Sequence, residues 1–432
     1  MRFFLARLLG NGILLAEGDE HRKQRRDLMP AFAFRHVKEL YPVFWRKATE
    51  SVQILTDHIL AEAARAPVSD DDHDHDAEKA GGAAAKDTAT LEIGGWASRL
   101  TLDVIGVAGL GRDFNALRDP NSVLARTYST VFSPNRQAQF LAMLSILLPD
   151  KVVSLLPVKR NSDLRSARAV IRSTCRDLIR EKKDKLARKE LADVDILSVA
   201  LESGGFSDEN LVDQLMTFLA AGHETTASAM TWAVYLLCRH PAMQQRLRDE
   251  IRAHLPSPDT AGAAAISSAD VDRMPYLWAF ASEVLRYYSP VAMTLREAVT
   301  DTTVQGVRVP RGTRVIISPW AVNKDERQWG ADGRQFDPER WLPRFEGDKG
   351  AASGHAASNY AFMTFLHGPR SCIGMNFAKA EFACLLAAWA GRFEFRLRDE
   401  ALMDEANLDI KGGVTARPAK GLWVKIRPVE GW

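Results

Sequence analysis

Cysteine is scarce in this chain of 432 residues, which has four, and Cys175, Cys238, Cys372 and Cys384 form no C-x-x-C pair. That argues against a disulfide framework and against a cysteine-rich zinc site. An excess of one charge sign is also missing. Lys and Arg number 57 against 55 Asp and Glu, a formal charge of +2, so nothing in the overall charge argues for nucleic acid as a partner. No run is long and apolar enough to cross a bilayer. The apolar start is interrupted by Arg7 and lacks an A-x-A-like cleavage site, and the run from Leu215 to Cys238 carries His223 and Glu224 in its middle. G-x-G-x-x-G is absent too, which removes a built-in flavin or dinucleotide segment. What remains, 46% hydrophobic and 26% charged residues, is the composition of an intracellular globular enzyme with a large core.

The apolar spacing predicts helices over His21 to Arg65, Leu91 to Gly111, Asp163 to Leu191 and Ser207 to Arg239. The last opens on a capping Ser207 and stops at His240-Pro241. Strand-like text comes late, as Thr302 to Pro310, Arg314 to Ser318, Phe393 to Leu397 and Leu422 to Ile426. The segment 67–90, with Asp70-Asp-Asp-His-Asp-His-Asp76 and Gly81-Gly-Ala-Ala-Ala85, reads as an acidic, Gly/Ala-rich loop insertion in one catalytic domain spanning 1–432.

Phe365-Leu-His-Gly-Pro-Arg-Ser-Cys-Ile-Gly374 is the most informative stretch. A cysteine sits in a Gly-punctuated loop, and the apolar run Phe377 to Trp389 follows at once. A helix N-terminus and its N–H donors stabilise a thiolate. Gly368 and Gly374 would let the backbone turn close to the sulfur, and Arg370 adds a charge suited to a carboxylate. A nucleophile is conceivable, but no His base accompanies it, so a metal ligand fits better.

This decapeptide resembles the haem-binding signature of the cytochrome P450 family, F-x-x-G-x-R-x-C-x-G, at every fixed position. Glu283-Val-Leu-Arg286 looks like the family's E-x-x-R helix motif, and Phe336-Asp-Pro-Glu-Arg-Trp341 like its P-E-R-F/W segment. Together they imply a buried triad of Glu283, Arg286 and Arg340 that holds the cysteine loop. Ala221-Gly-His-Glu-Thr-Thr226 resembles the oxygen-activating motif of the long central helix. Ala221, Gly222 and Thr225 share a helix face, and their small size suits a flat cofactor lying against it. Glu224 and Thr225 are the expected catalytic acid–alcohol pair.

The resemblance implies a mainly α fold with small β-sheets, the cytochrome P450 fold without its N-terminal helices, strands and membrane anchor. A sheet edge should then be open. It implies haem b ligated by Cys372, framed by Phe365 and Gly374, with His21, Arg25, Arg296 and Arg370 as propionate contacts. Substrate contacts fall at Phe218, Leu219, Val291, Met293, Leu295 and Val414. The implied reaction inserts one oxygen atom of O2 into a hydrophobic small molecule, in secondary metabolism or xenobiotic oxidation. Electrons would come from NADPH through a separate reductase docking near Arg22, Lys23 and Arg26. The expected setting is a monomer at the endoplasmic reticulum. A catalytically silent haem-binding fragment is one competing reading. A haem-thiolate isomerase or dehydratase is another, disfavoured by the Glu224-Thr225 pair.

Overall fold

The computed structural model describes residues 6, 9–65, 87–132, 137, 141, 144, 150–190, 195–259, 265–411 and 414–432. The long helical run expected over His21 to Arg65 is broken. Pro30 has no N–H to continue a helix, so α1 (Gly18–Leu28) gives way to a 3-10 turn, Met29–Phe32, and a short helix, Phe34–Glu39, before α2 (Tyr41–Arg65). Strand β1 (Ala89–Glu92) takes the place of the expected start of a helix at Leu91. Glu92 is extended, and its carboxylate accepts the N–H groups of Gly94 (3.0 Å) and Gly95 (2.7 Å), so α3 (Ile93–Val104) begins only after it. The loop insertion assigned to 67–90 therefore ends in a strand, while its residues 67–86 lie outside the described residues.

A π turn, Ile105–Gly109, closes α3, and α4 (Val123–Phe132) and α5 (Lys159–Ala187) follow. Next comes α6 (Asp208–Arg239), opened as expected by Ser207, whose hydroxyl accepts Asn210 N–H at 3.3 Å. Pro241 then starts α7 (Pro241–His254), and α8 (Pro275–Tyr287) and α9 (Met375–Arg392) complete the long helices. Helix α6 runs through the core. Its Trp232 is fully buried and stacks on Tyr288 at 4.0 Å, and α9 packs against both α6 and α2.

The strands form small antiparallel sheets. The order β1-β9-β6 joins Ala89–Glu92, Trp423–Pro428 and Phe393–Leu397, with Leu91 opposite Val424 and Phe395 opposite Ile426. Alternation puts Phe393, Phe395, Leu397, Val424 and Ile426 inside. Strand β2 (Thr294–Glu297) pairs with β5 (Arg314–Ile317), and β7 (Ile410–Lys411) with β8 (Arg417–Pro418). Thr302 to Pro310 is not one strand but a hairpin, β3 (Thr302–Val304) and β4 (Val307–Val309). Gln305 and Gly306 both have positive φ, 51° and 79°, the turn geometry that reverses a twisted strand pair. Among the described residues β2 and β5 have no further neighbour, and Ile316 on β5 is 63% exposed.

Candidate active site

The loop carrying Cys372 is tightly constrained. Leu366 and Gly368 have left-handed φ, 57° and 73°, a conformation that costs a leucine about 1–2 kcal/mol and glycine almost nothing. Cys372 N–H donates to Phe365 O at 2.8 Å, closing the loop on itself. Arg25 on α1 braces it from the side, donating to Ser371 O (2.8 Å) and Ser371 Oγ (3.1 Å). Gly374 N–H points at the sulfur and α9 departs from that residue. Gly374 itself has φ −90°, and an added Cβ would lie 3.6 Å from the Phe32 ring, so the turn behind the sulfur does not require glycine after all. Gly368 is the position that does.

Cys372 alone of the four cysteines is reached by solvent. Its sulfur is nevertheless surrounded deeply by protein, so it opens on an internal space. Burial pushes its thiol above the usual cysteine range, and Gly374 N–H and Arg25 draw it back only in part. The helix N-terminus therefore does not outweigh burial at this sulfur, and a coordinated metal cation would favour its thiolate form.

On α6, Thr225 Oγ1 donates to Ala221 O at 2.9 Å, as its position suggested. Ala221 is exposed although Leu219 and Ala220 beside it are buried, so this turn of the helix also borders an internal space. Thr226 Oγ1 lies 3.0 Å from Glu381 Oε2 on α9. Glu381 comes seven residues after Gly374, about 10 Å along the helix at 1.5 Å per residue. The 221–226 turn is therefore fastened to the half of α9 that follows the Cys372 loop. Burial drives the Glu381 carboxyl well above its usual range.

One expectation about this turn needs correction. A Cβ on Gly222 would meet Ile105 Cδ1 at 2.9 Å, so the absence of a side chain there serves packing against the π turn and not the shared face with Ala221 and Thr225. Gly222→Ala is expected to destabilise the fold by about 1–3 kcal/mol through overpacking, with Ile105→Val recovering part of it in urea unfolding. Glu224 forms no hydrogen bond with Thr225. Successive helical residues point about 100° apart, and Glu224 turns instead to Arg417, with which it forms an ion pair, and to Thr415 Oγ1 at 3.2 Å.

The expected triad is assembled and buried. Glu283 Oε1 accepts from Arg286 Nη2 (2.6 Å) and Arg340 Nε (3.1 Å), and its Oε2 accepts from Arg286 Nε (2.7 Å) and Trp341 Nε1 (2.9 Å). Its link to the cysteine loop runs through Asn323, which sequence reasoning missed. Arg286 Nη1 donates to Asn323 O at 2.6 Å, and Asn323 holds Met363 N–H (2.7 Å) and Thr364 Oγ1 (2.8 Å) just ahead of Phe365.

His21, Arg25 and Arg370 converge beside the loop. Burial, then Arg370 and Arg25, hold the His21 imidazole below its ordinary range. Arg25 has no carboxylate partner among the described residues, and Arg370 Nη2 donates to Ala16 O at 2.6 Å. Arg296 on β2 is exposed and donates to Thr294 Oγ1 (2.9 Å) and Leu295 O (2.8 Å), and among the described residues no hydrogen bond joins it to the other cations. Among the expected substrate residues, Leu219 is fully enclosed, and Phe218, though buried, packs edge-on against Phe32 at 5.5 Å. Met293 and Leu295 are 52% and 41% exposed, and Val291 and Val414 are partly buried. Glu381 and Arg417 were also missed. An acid inside the apolar run Phe377 to Trp389 was a usable signal for Glu381, whereas nothing local ties Arg417 to α6.

A profile of the cytochrome P450 family matches residues 3–423. The chain belongs to the cytochrome P450 family. It is 46% identical to Cytochrome P450 monooxygenase sphH of Aspergillus fumigatus, over 99% of this chain and 74% of that protein. It is 44% identical to Cytochrome P450 monooxygenase ALT8 of Alternaria alternata (99% and 76%) and 43% identical to Cytochrome P450 monooxygenase FUM15 of Gibberella moniliformis (98% and 74%). As a cytochrome P450 monooxygenase the chain is an oxidoreductase that uses thiolate-ligated haem, O2, a substrate and a redox partner. The surroundings of Cys372 fit that cofactor: a reachable sulfur in an internal space, an N–H donor aimed at it, and a cluster of cations suited to carboxylates. No helix among the described residues is long and apolar enough to cross a membrane.

Proposed function

We propose that this cytochrome P450 hydroxylates a hydrophobic small molecule in fungal secondary metabolism or xenobiotic oxidation, with electrons from NADPH through a separate reductase. The observation that carries this reading is the one solvent-reached cysteine, held in its closed loop at the start of α9, together with the Thr225–Ala221 turn of α6 fastened to the same half of that helix. Cys372 would hold haem, and His21, Arg25, Arg296 and Arg370 would take its propionates. When bound, haem supplies the one-electron and O2 chemistry. The chain's own part is to exclude water, orient substrate and deliver protons. Thr225, tied back to its own helix, is held ready to orient water, and Glu224 is the acid that moves protons through α6. Met293 and Leu295 offer apolar surface suited to a hydrophobic substrate. Fungal relatives along almost the whole chain support the biological setting. Exposed Arg22, Lys23 and Arg26 on α1, next to the helix face that braces the cysteine loop, suit an acidic reductase. We also take the chain as a monomer at the endoplasmic reticulum, which size-exclusion and fractionation would check.

The first test is the carbon monoxide difference spectrum of the reduced protein, where a strongly red-shifted Soret band is expected. Thr225→Ala should keep that band yet lower product formed per NADPH by roughly tenfold or more, as loss of a proton-handling group does. Unchanged coupling in Thr225→Ala would remove Thr225 from the mechanism.

A further inference from the structure

Glu381 is an acid inside the apolar body of α9, fully buried and so far without a role. Its Oε2 lies 3.0 Å from Thr226 Oγ1 on α6, while Oε1 is buried with no hydrogen-bond partner among the described residues. No cation pairs with it there either. The buried basic groups on the helices packed against α9 are engaged elsewhere: Lys47 of α2 with Glu50 and Asp113, Arg286 of α8 with Glu283, Arg248 of α7 with Phe393 O, and His223 of α6 beside Glu224. Lys379, two residues before Glu381, lies over the rings of Phe362 and Phe365. An ionised carboxylate in such a place would exchange its hydration for a single hydrogen bond, so the group is held neutral. Burial acts on it in that direction.

Counting hydrogens gives the link its direction. Thr226 Oγ1 also lies 3.3 Å from Gly222 O, which can only accept. A threonine hydroxyl has one hydrogen, and with that hydrogen on Gly222 O the bond to Glu381 needs one from the acid. A neutral acid thus satisfies all three atoms in the row, whereas an ionised one would draw the Thr226 hydrogen away from Gly222 O. The row adjoins Thr225, whose hydroxyl holds Ala221 O, so two neighbouring carbonyls of α6 each take a hydroxyl from four residues on. Back-bonding of this kind bends a helix, and a bent turn needs an outside hold to keep one shape. We infer that Glu381 is a positioning residue, a neutral acid that donates to Thr226 Oγ1, turns that hydroxyl onto Gly222 O and so fixes the turn that presents Thr225. The inference rests on the role proposed above for Thr225.

Infrared spectra of the holoprotein at neutral pH should contain the carbonyl stretch of a protonated carboxyl group that Glu381→Gln removes. Thr226→Val should keep that band and move it to higher frequency, because the acid loses its acceptor. Product per NADPH should fall about threefold to tenfold in Glu381→Met, short of the roughly hundredfold that a misplacement of about 1 Å can cost. Glu381→Gln, whose amide N–H can donate from the same place, should stay within about twofold of native. A side chain that merely filled apolar space would give the reverse order, with methionine tolerated better than glutamine. Thr226→Val should match Glu381→Met, and combining them should do no further harm, since both cut one path. If Glu381→Met does not fold, as its carbon monoxide spectrum would reveal, Thr226→Val carries the coupling test. No band lost in Glu381→Gln, coupling there as low as in Glu381→Met, or multiplied losses in the double variant would each overturn the inference. If Thr225→Ala leaves coupling untouched, the reading of Thr225 fails instead, and the band with its shift in Thr226→Val still decides whether Glu381 donates to Thr226.

Discussion

Arg286→Leu is expected to yield almost no folded haem protein. A guanidinium has five N–H donors, and Arg286 uses all of them, on Glu283 Oε1 and Oε2 and on the carbonyls of Asn323, Gly333 and Gln335. Both Glu283 and Arg286 are fully buried. Leucine would leave a buried carboxylate short of its main partner and three carbonyls facing an apolar side chain. Breaking such a pair from one side costs about 3–5 kcal/mol, a large share of the roughly 5–15 kcal/mol that keeps a protein folded. The damage would also reach the haem loop, because Asn323 stands between Arg286 and residues 363–364. Arg340→Leu should be milder. It loses one bond of 3.1 Å to Glu283, and its other carboxylate contact is to a half-exposed Asp332. Urea midpoints and the yield of red-shifted carbon monoxide complex would rank the two variants, and equal values would refute this account of the triad.

The legible parts of this protein are those in which chemistry is written at short range. The cysteine loop fits in ten residues, the Glu283–Arg286 pair in one helical turn, and the Ser207 cap bonds three residues ahead. Spacing alone puts such groups together, whatever the rest of the chain does. Errors arose where local text allows two outcomes. Leu91 begins an apolar pattern compatible with helix, but Glu92 caps Gly94 and Gly95 and delays the helix by a strand. Thr302 to Pro310 alternates like one strand, and only the two positive φ angles at Gln305 and Gly306 fold it in half. Long-range partners carried no signal. Arg417 and Glu224 are 193 residues apart, and the hairpin that brings them together is two residues wide. Gly222 was read as room for a cofactor because its neighbours suggested a face, while Ile105, far back in the chain, already fills that room.

Cys372→Ser should abolish the red-shifted carbon monoxide band and lower turnover by more than about a hundredfold, since even groups one shell removed from a metal are worth 10–100-fold. The oxygen of serine is a harder, less polarisable donor than a thiolate, and cannot push electron density to iron as sulfur does. No other cysteine can take over. Cys175, Cys238 and Cys384 are buried, and burial raises all three thiols, Cys175 to about 12. The variant should still fold, because Cys372 contributes its backbone N–H to Phe365 O and that bond survives the substitution. Cys384→Ala is the control. It lies within the apolar body of α9, so it should cost stability and leave the spectrum unchanged. A native spectrum in Cys372→Ser, or a lost one in a folded Cys384→Ala, would move the residue that holds haem away from this loop. The first outcome would leave the His21, Arg25 and Arg370 cluster without the anionic cofactor it is proposed to hold.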